Sequence, residues 1–340
     1  MDAGGTDLGA PTVVGRGHHG ADSGRPGELS AAELSDSGGL RGLALSRGDV
    51  DRLTIRRGDA EWLALAWADP RTRVIVVEEG QALVRYDPGH GNASLVFVHP
   101  SQAPDGVRFL LGTDAGGTVY FGVAGPLPKP APPGARPVSL RQAGPLLSDR
   151  DAGLMTEAVA LGNWHGVHGH CPRCGALTEP ILAGHSRRCV ADGSEHFPRL
   201  DPAVIMLVTD PDDRCLLARN ASWPERRVSI LAGFVEPGES AEQAVAREVR
   251  EETGIIVGAT RYVGSQPWPM PHSLMLGFRA RATGPLQIMV DHDEIAEARW
   301  FSRDELTASI ASGEIRLPPP VSIAHRIIES WYGAELTGAW

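Results

Sequence analysis

Between Gly233 and Ile255 the chain crowds acidic side chains into a short span: Glu239, then Arg247-Glu248-Val249-Arg250-Glu251-Glu252, then Gly254. Ser240 followed three residues later by Gln243 is a capping-box signal, and Gly254 stands where a left-handed residue commonly ends a helix. The span therefore predicts a helix over residues 241–252. At about 100° per residue, Ala241, Val245 and Val249 form its apolar stripe, Glu248 and Glu252 fall on or beside that stripe, and Glu251 lies on its flank. Arg247 and Arg250 are expected to project to other sides. A carboxylate withdrawn from water without a partner costs several kcal/mol, so inward acids call for a counter-charge. A hard cation bound through oxygen, Mg²⁺ or Mn²⁺, suits them. The alternative is a surface helix laced with charge pairs, its acids solvated.

Two further clusters carry chemistry. Cys171-Pro172-Arg173-Cys174-Gly175 has the shape of a zinc knuckle, in which two thiolates of one turn grip a tetrahedral ion. Cys189 follows fifteen residues after Cys174, but Asp192 stands where a fourth cysteine would complete a second knuckle. Asp192, His185 or His196 could supply the last ligand of a structural zinc site, or the segment could be a metal-free fold element. Cys215, within Cys215-Leu216-Leu217-Ala218, reads as a small core residue of a strand. Ser265-Gln266-Pro267-Trp268-Pro269-Met270-Pro271-His272-Ser273 alternates prolines, which stiffen the backbone into an extended form and fix the directions of Gln266, Trp268 and Ser273. By itself it could equally be a rigid loop or a ligand for a partner groove.

The elements that must position these residues are legible from the hydrophobic runs. With 340 residues the chain has room for more than one core. Residues 1–40, rich in Gly, Ser, Asp and Ala without periodic apolar spacing, are expected to be disordered. Short β-type runs at 74–77, 82–84, 95–98, 109–111 and 119–121 predict a β-rich domain over 41–140, with the proline-rich stretch 126–137 as a linker or an extended edge. Ser148 and Asp151 open a connecting helix within 141–165 that carries Leu154, Ala158 and Leu161. The cysteine segment occupies 166–200. Residues 201–340 alternate strands (203–208, 231–236, 274–280, 298–301) with helices, the last holding Ile323, Ile327, Ile328 and Trp331, and read as a mixed α/β domain. The formal charge of -10 argues against broad electrostatic binding to nucleic acid or to anionic membranes. The sequence has no membrane-spanning run and its opening residues lack a secretory pattern, so the cytoplasm is expected. Cysteine usage points to metal rather than disulfide.

The full spacing from Gly233 through Glu239 and Arg247-Glu248 to Glu251-Glu252 and Gly254-Ile255 matches every fixed position of the Nudix box, so the chain resembles the Nudix hydrolases and the solvated-helix reading recedes. The proline motif, the cysteine segment and the run Leu317-Pro318-Pro319-Pro320 make it similar to the NADH pyrophosphatase subfamily, closely over about residues 145–335 and in outline before that. The resemblance implies an α/β (α+β) protein, a Nudix α/β/α sandwich preceded by a zinc ribbon and a small β-rich domain. It implies hydrolysis of NADH or NAD⁺ to the nicotinamide mononucleotide and AMP, and removal of the NAD cap from RNA. It further implies two or three divalent ions held by Glu248, Glu251, Glu252, Glu294 and the Ala232 carbonyl, with one glutamate as base, and zinc held by Cys171, Cys174, Cys189 and Asp192. Glu239 is expected to pair with Arg247. Phe234 and Phe197 match positions that stack adenine, the latter across a homodimer interface, with core packing as the alternative for both. Gln266, Pro267, Trp268, Pro269, Met270, Pro271, His272, Ser273 and Ala324 would complete the substrate wall, Met270 replacing the subfamily's usual phenylalanine. The competing readings are a Nudix enzyme for ADP-ribose or dinucleoside polyphosphates, a catalytically weak NAD(H) sensor, and a zinc-ribbon nucleic-acid module.

Overall fold

The computed structural model describes residues 39–337 apart from Pro88 and Asp291. The expectation of disorder for residues 1–40 falls, up to residue 38, outside the described residues.

The first part is built on β1 (Arg73–Glu78), β2 (Gln81–Asp87), β3 (Asn92–Leu95), β4 (Val107–Thr113), β5 (Val119–Ala124) and β6 (Ala135–Ser139). They form one sheet in the order β3-β2-β1-β5-β4, with β6 also bonded to β2. Val74, Ile75, Val76 and Val77 are all buried because both faces of the sheet are covered, Val76 by Leu83 and Leu127. On one side Val74 packs with Leu110, Phe121 and Ala66 of α1 (Ala60–Ala68). On the other, Ile75 and Val77 meet Leu154, Met155, Ala158 and Leu161 of α3 (Asp149–Val167), which follows the short α2 (Leu140–Ala143). The helix expected to connect two domains is thus a core element of the first sheet, because its apolar residues recur at helical spacing and face β1. The run 95–98 is strand only to Leu95, and Val98 makes an isolated bridge to Val74. Within the proline-rich stretch, Pro137 sits in β6 opposite Leu83.

The cysteine segment folds as a three-stranded sheet of β7 (Thr178–Ile181), β8 (Ser186–Cys189) and β9 (Glu195–His196). It is locked onto α3 by the buried Arg187, whose Nη1 lies 2.9 Å from His165 Nδ1 while Nε and Nη2 bond Thr178. A guanidinium only donates, so His165 accepts at Nδ1 and donates from Nε2 to the Gly184 carbonyl, 2.8 Å away. Burial keeps that imidazole neutral by lowering its pKa to about 4.

The remaining chain gives β10 (Asp201–Thr209), β11 (Cys215–Asn220), β12 (Leu231–Phe234), α4 (Ala241–Thr253), β13 (Val257–Trp268), β14 (Ser273–Ala282), β15 (Ile295–Phe301), α5 (Arg303–Ala311) and α6 (Ile323–Tyr332). The sheet order is β13-β14-β10-β11-β15, with β12 paired to β10. The apolar residues of β10 alternate between two cores: Val204, Met206 and Val208 pack on Ala244, Val245 and Val249 of α4, while Ile205 and Leu207 pack on Ile323, Ile327 and Ile328 of α6. This is an α/β/α sandwich. Cys215 is buried in the second core, its thiol pKa raised by burial. The proline motif is extended only as far as Trp268; residues 269–272 turn the chain into β14, and Trp268 pairs with Ser273. Hydrogen bonding to β14 ends there, so the prolines beyond it shape a turn.

Candidate active site

Helix α4 begins with a complete capping box between Ser240 and Gln243 and ends at Gly254 with φ 71°, as the sequence indicated. It packs on β12, and Gly233 explains how closely. A Cβ built there would lie 2.0 Å from the Glu248 Cδ, so only glycine lets this carboxylate rest on the strand.

The acids divide into partnered and unpartnered groups. Arg247 donates to both oxygens of Glu239 (2.9 and 2.8 Å), to Glu248 Oε1 (2.8 Å), to Glu251 Oε2 (3.1 Å) and to the Phe234 carbonyl (2.9 Å). The pairing of Glu239 with Arg247 agrees with the sequence reading. The expectation that Arg247 points away from the other acids is corrected: its long side chain folds back over one helical turn and spans Glu248 and Glu251. Ala244, rather than Ala241, completes the buried stripe with Val245 and Val249, and Glu251 is exposed.

Glu252 is different. It is 4% exposed and its Oε2 has no hydrogen-bond partner among the described residues. Burial, then Glu248, Glu294 and Glu251 in order of effect, push its carboxyl up to about 8. Burial also raises Glu248, against the pull of Arg247. Glu294 lies in the turn before β15, far from the helix in sequence, yet its charge is felt by both Glu248 and Glu252. A buried carboxyl with an orphaned oxygen and the like charges of Glu248, Glu294 and Glu251 acting on it fits a divalent cation.

Strand β12 joins this acid group to a cavity of about 370 Å³. Ala232 faces the cavity while its neighbour Gly233 faces Glu248, as alternation along a strand requires. The cavity is lined by Ile205, Ala232 and Met275 from the sheet, Trp268 from the proline motif, Pro318, Pro319 and Ala324 at the start of α6, and Trp223 and Arg227 from the loop before β12. Arg141, from α2, closes it with its guanidinium 5.3 Å from the Trp268 ring centroid. The sequence reading missed Arg141, Trp223 and Arg227. The pairing of a tryptophan with an arginine held by a different sheet leaves no local signal, although Arg227 lies only six residues before Gly233.

Of the nine wall residues expected from sequence, Trp268 and Ala324 line the cavity and the other seven do not. Gln266 is 0% exposed, with Oε1 accepting from Leu45 N (3.2 Å) and Nε2 donating to the Val321 carbonyl (2.9 Å). Pro267 pairs with Leu274 and Ser273 begins β14 opposite both Trp268 and Asp201. The Pro269 carbonyl accepts from Asn163 Nδ2 at 2.8 Å, and Met270 packs against the core of the first sheet. Pro271 is exposed in the turn, and His272 Nδ1 lies 3.0 Å from Asp201 Oδ2. Most of the motif therefore joins the two sheets behind the cavity wall. Phe234 and Phe197 are 58% and 65% exposed, which excludes core packing for either.

The second metal cluster is drawn together more tightly. Ligand atoms of Cys171, Cys174, Cys189 and Asp192 all lie within 4.8 Å of one another. Backbone N–H groups of Arg173 and Asp192 donate to Cys171 and Cys189 sulfurs at 3.4 Å each, a pattern that stabilises thiolates. Ser194, through hydroxyl and backbone N–H, holds the Asp192 carboxyl well below the usual range, so it is an anion ready to bind. His185 is turned away, its Nε2 2.7 Å from the Leu110 carbonyl, and His196 Nε2 lies 3.1 Å from Ser194 Oγ. The donor set of three thiols and a carboxylate fits a structural zinc ion.

Three family models match in succession: an NADH pyrophosphatase-like rudimentary Nudix domain over residues 71–164, an NADH pyrophosphatase zinc ribbon domain over 168–197, and a Nudix domain over 199–319. Proteins described as NAD-capped RNA hydrolase NudC, from Mycobacterium bovis and Mycobacterium tuberculosis, are 42% identical over 308 residues, covering 86% of this chain and 95% of their own. The human NAD-capped RNA hydrolase NUDT12 is 41% identical over 197 residues, covering 54% of this chain and 42% of its own. With the acid helix, the ribbon and the rudimentary domain each matched in place, the chain belongs to the Nudix hydrolase family, in its NADH pyrophosphatase branch.

Proposed function

We propose that this protein hydrolyses the pyrophosphate bond of NADH and NAD⁺, giving the nicotinamide mononucleotide and AMP, and that it removes the NAD cap from RNA 5′ ends by the same cleavage. The observation that carries the reading is the orphaned, buried Glu252 next to a strand whose other face opens into a cavity walled by two tryptophans and two arginines.

Glu248, Glu251, Glu252, Glu294 and the Ala232 carbonyl would hold the divalent ions, Mg²⁺ or Mn²⁺. When bound, these ions offset the diphosphate charge and lower the pKa of an attacking water. The chain's own groups do the rest. The cavity is large enough for one nucleoside half of the dinucleotide, with the Trp268 and Trp223 rings as apolar walls and the positive charge of Arg141 and Arg227 in its lining to favour its phosphate. The glutamate least engaged by cation takes the proton from water. Phe234, exposed one residue beyond the glycine that seats Glu248, offers its face to adenine outside the cavity. An adenosine held in the open leaves its 3′ oxygen free to continue into an RNA chain, which favours the capped RNA as well as the free dinucleotide. We assign Phe197 to a partner's site in a homodimer, zinc to the ribbon, and the cytoplasm as the compartment.

The purified protein should convert NADH, NAD⁺ and NAD-capped RNA to products ending in nicotinamide mononucleotide and 5′-monophosphate, with Mg²⁺ or Mn²⁺ and not with chelator. Faster cleavage of ADP-ribose or dinucleoside polyphosphates than of NADH would replace this reading, and tight binding without turnover would make the protein a sensor.

A further inference from the structure

The segment 40–47 runs across the boundary between the two large sheets and touches the proline motif from behind. Leu40 N donates to the Val263 carbonyl of β13 at 2.6 Å, and Leu43 is buried in the core under α6. Two residues on, Leu45 belongs to the other core, against α3. Its backbone N–H meets Gln266 Oε1 at 3.2 Å, and Ser46 Oγ donates to the Ser265 carbonyl at 2.7 Å. Arg47 then anchors the segment, donating to the carbonyls of Gly144 and Leu147 and pairing with Asp149 at 3.0 Å.

Gln266 passes this anchorage forward. Its other amide end donates to the Val321 carbonyl at 2.9 Å, one residue before Ser322 and three before Ala324, both of which line the cavity. Val321 itself is buried in the core of the first sheet, against which Trp268 also packs. Gln266 and Trp268 are two apart on one strand and so project to the same side. One fully buried amide thus ties the segment 40–47 to the chain entering α6, on the same strand that carries Trp268, so it stands between two parts of the cavity lining. The Gln266 side chain is fully buried, outside the cavity lining, with its oxygen and its nitrogen each already bonded to backbone, so a ligand in the cavity does not meet it.

We propose that Gln266 is a positioning residue rather than a substrate contact, and that through it the segment 40–47 sets the width of the cavity between Trp268 and Ala324. The inference rests on the cavity being the substrate site. The groups it governs bind the half of the substrate away from the acids, so loosening them weakens binding with little effect on the chemical step.

The test combines kinetics with hydrogen exchange on the full chain loaded with divalent ion. Gln266→Met keeps the length of the side chain and removes both hydrogen bonds; Ser46→Ala, at an exposed residue outside the cavity, loosens the same segment with small risk to folding. Each should raise KM for NADH, Gln266→Met by about threefold to tenfold and Ser46→Ala by about twofold, with kcat within about twofold of wild type. The double variant should cost less than the product of the two effects, because both act through one contact chain. Backbone amides over 321–326 should exchange faster in both variants. Unchanged exchange there with an unchanged KM in Ser46→Ala, or fully multiplicative effects on KM, would overturn the proposal in favour of a direct Gln266 contact. Should the wild type fail to cleave NADH, the proposed function alone falls, and the exchange of residues 321–326 still decides whether Gln266 holds that loop.

Discussion

In the cation-free protein Glu252 holds its proton up to about 8, whereas in the unfolded chain it ionises near the ordinary value of 4.5. Below the lower value both states are protonated and nothing is lost. As pH rises between the two, only the unfolded chain ionises, so folding becomes progressively less favourable, and above the upper value the loss is complete. Glu252→Gln removes this liability. In chelator, its melting temperature relative to wild type should therefore climb from about pH 5 to about pH 8 and then level off. The same substitution should lower kcat with Mg²⁺ by about 10²-fold or more, with a far smaller change in KM. A pH-independent melting difference would mean that Glu252 ionises as freely as a surface acid. The residue was legible because its position on α4 follows from helical period alone. Of the partners of Arg247, Glu239 was legible, whereas Glu248 and Glu251 were not, since a flexible arginine reaches acids one and four residues away as well as the one eight residues back.

At the level of elements, the segments that the sequence describes best are those whose signals are local. Helix α4 carries its own start and stop, and β10 is a run of aliphatics buried on both faces. The proline motif was half legible: its extension through Trp268 is set by the prolines, but the turn that follows depends on pairing with β14, and the fate of Gln266 depends on Leu45, 221 residues away. The ribbon shows a local code with one altered letter. Asp192 supplies an oxygen where a fourth sulfur would stand, so the site should still take one zinc per chain, measurable by metal analysis of the purified protein. Cys174→Ser should lose it, whereas Asp192→Cys should keep it and release it more slowly to a competing chelator. Equal release rates for wild type and Asp192→Cys would show that Asp192 is not a ligand. The His165 imidazole, kept neutral by burial, accepts from Arg187 of the ribbon, so this one contact with α3 should not vary between about pH 6 and pH 8.

For the molecule as a whole, the site is assembled from pieces that no single segment contains: acids from α4, a wall from β13, Arg141 from the first sheet's side, and an open aromatic face at Phe234. Phe197, in the irregular segment between β9 and β10, is as exposed as Phe234, and Leu177, Val190 and Leu200 nearby in sequence are exposed too. Exposed apolar side chains that adjoin one another are commonly covered by a partner surface. If Phe197 completes the adenine site of a second copy, two defective variants should repair one another. Glu252→Gln lacks the acid but offers an intact Phe197; Phe197→Ala lacks the platform but keeps its own acids. A mixed dimer then contains one site with Glu252 from one chain and Phe197 from the other. Random reassortment of equal amounts makes about half of the dimers mixed, so about a quarter of wild-type activity should return on mixing. Sedimentation should show a dimer for each variant alone. An activity equal to the average of the two unmixed variants would place Phe197 outside the partner's site.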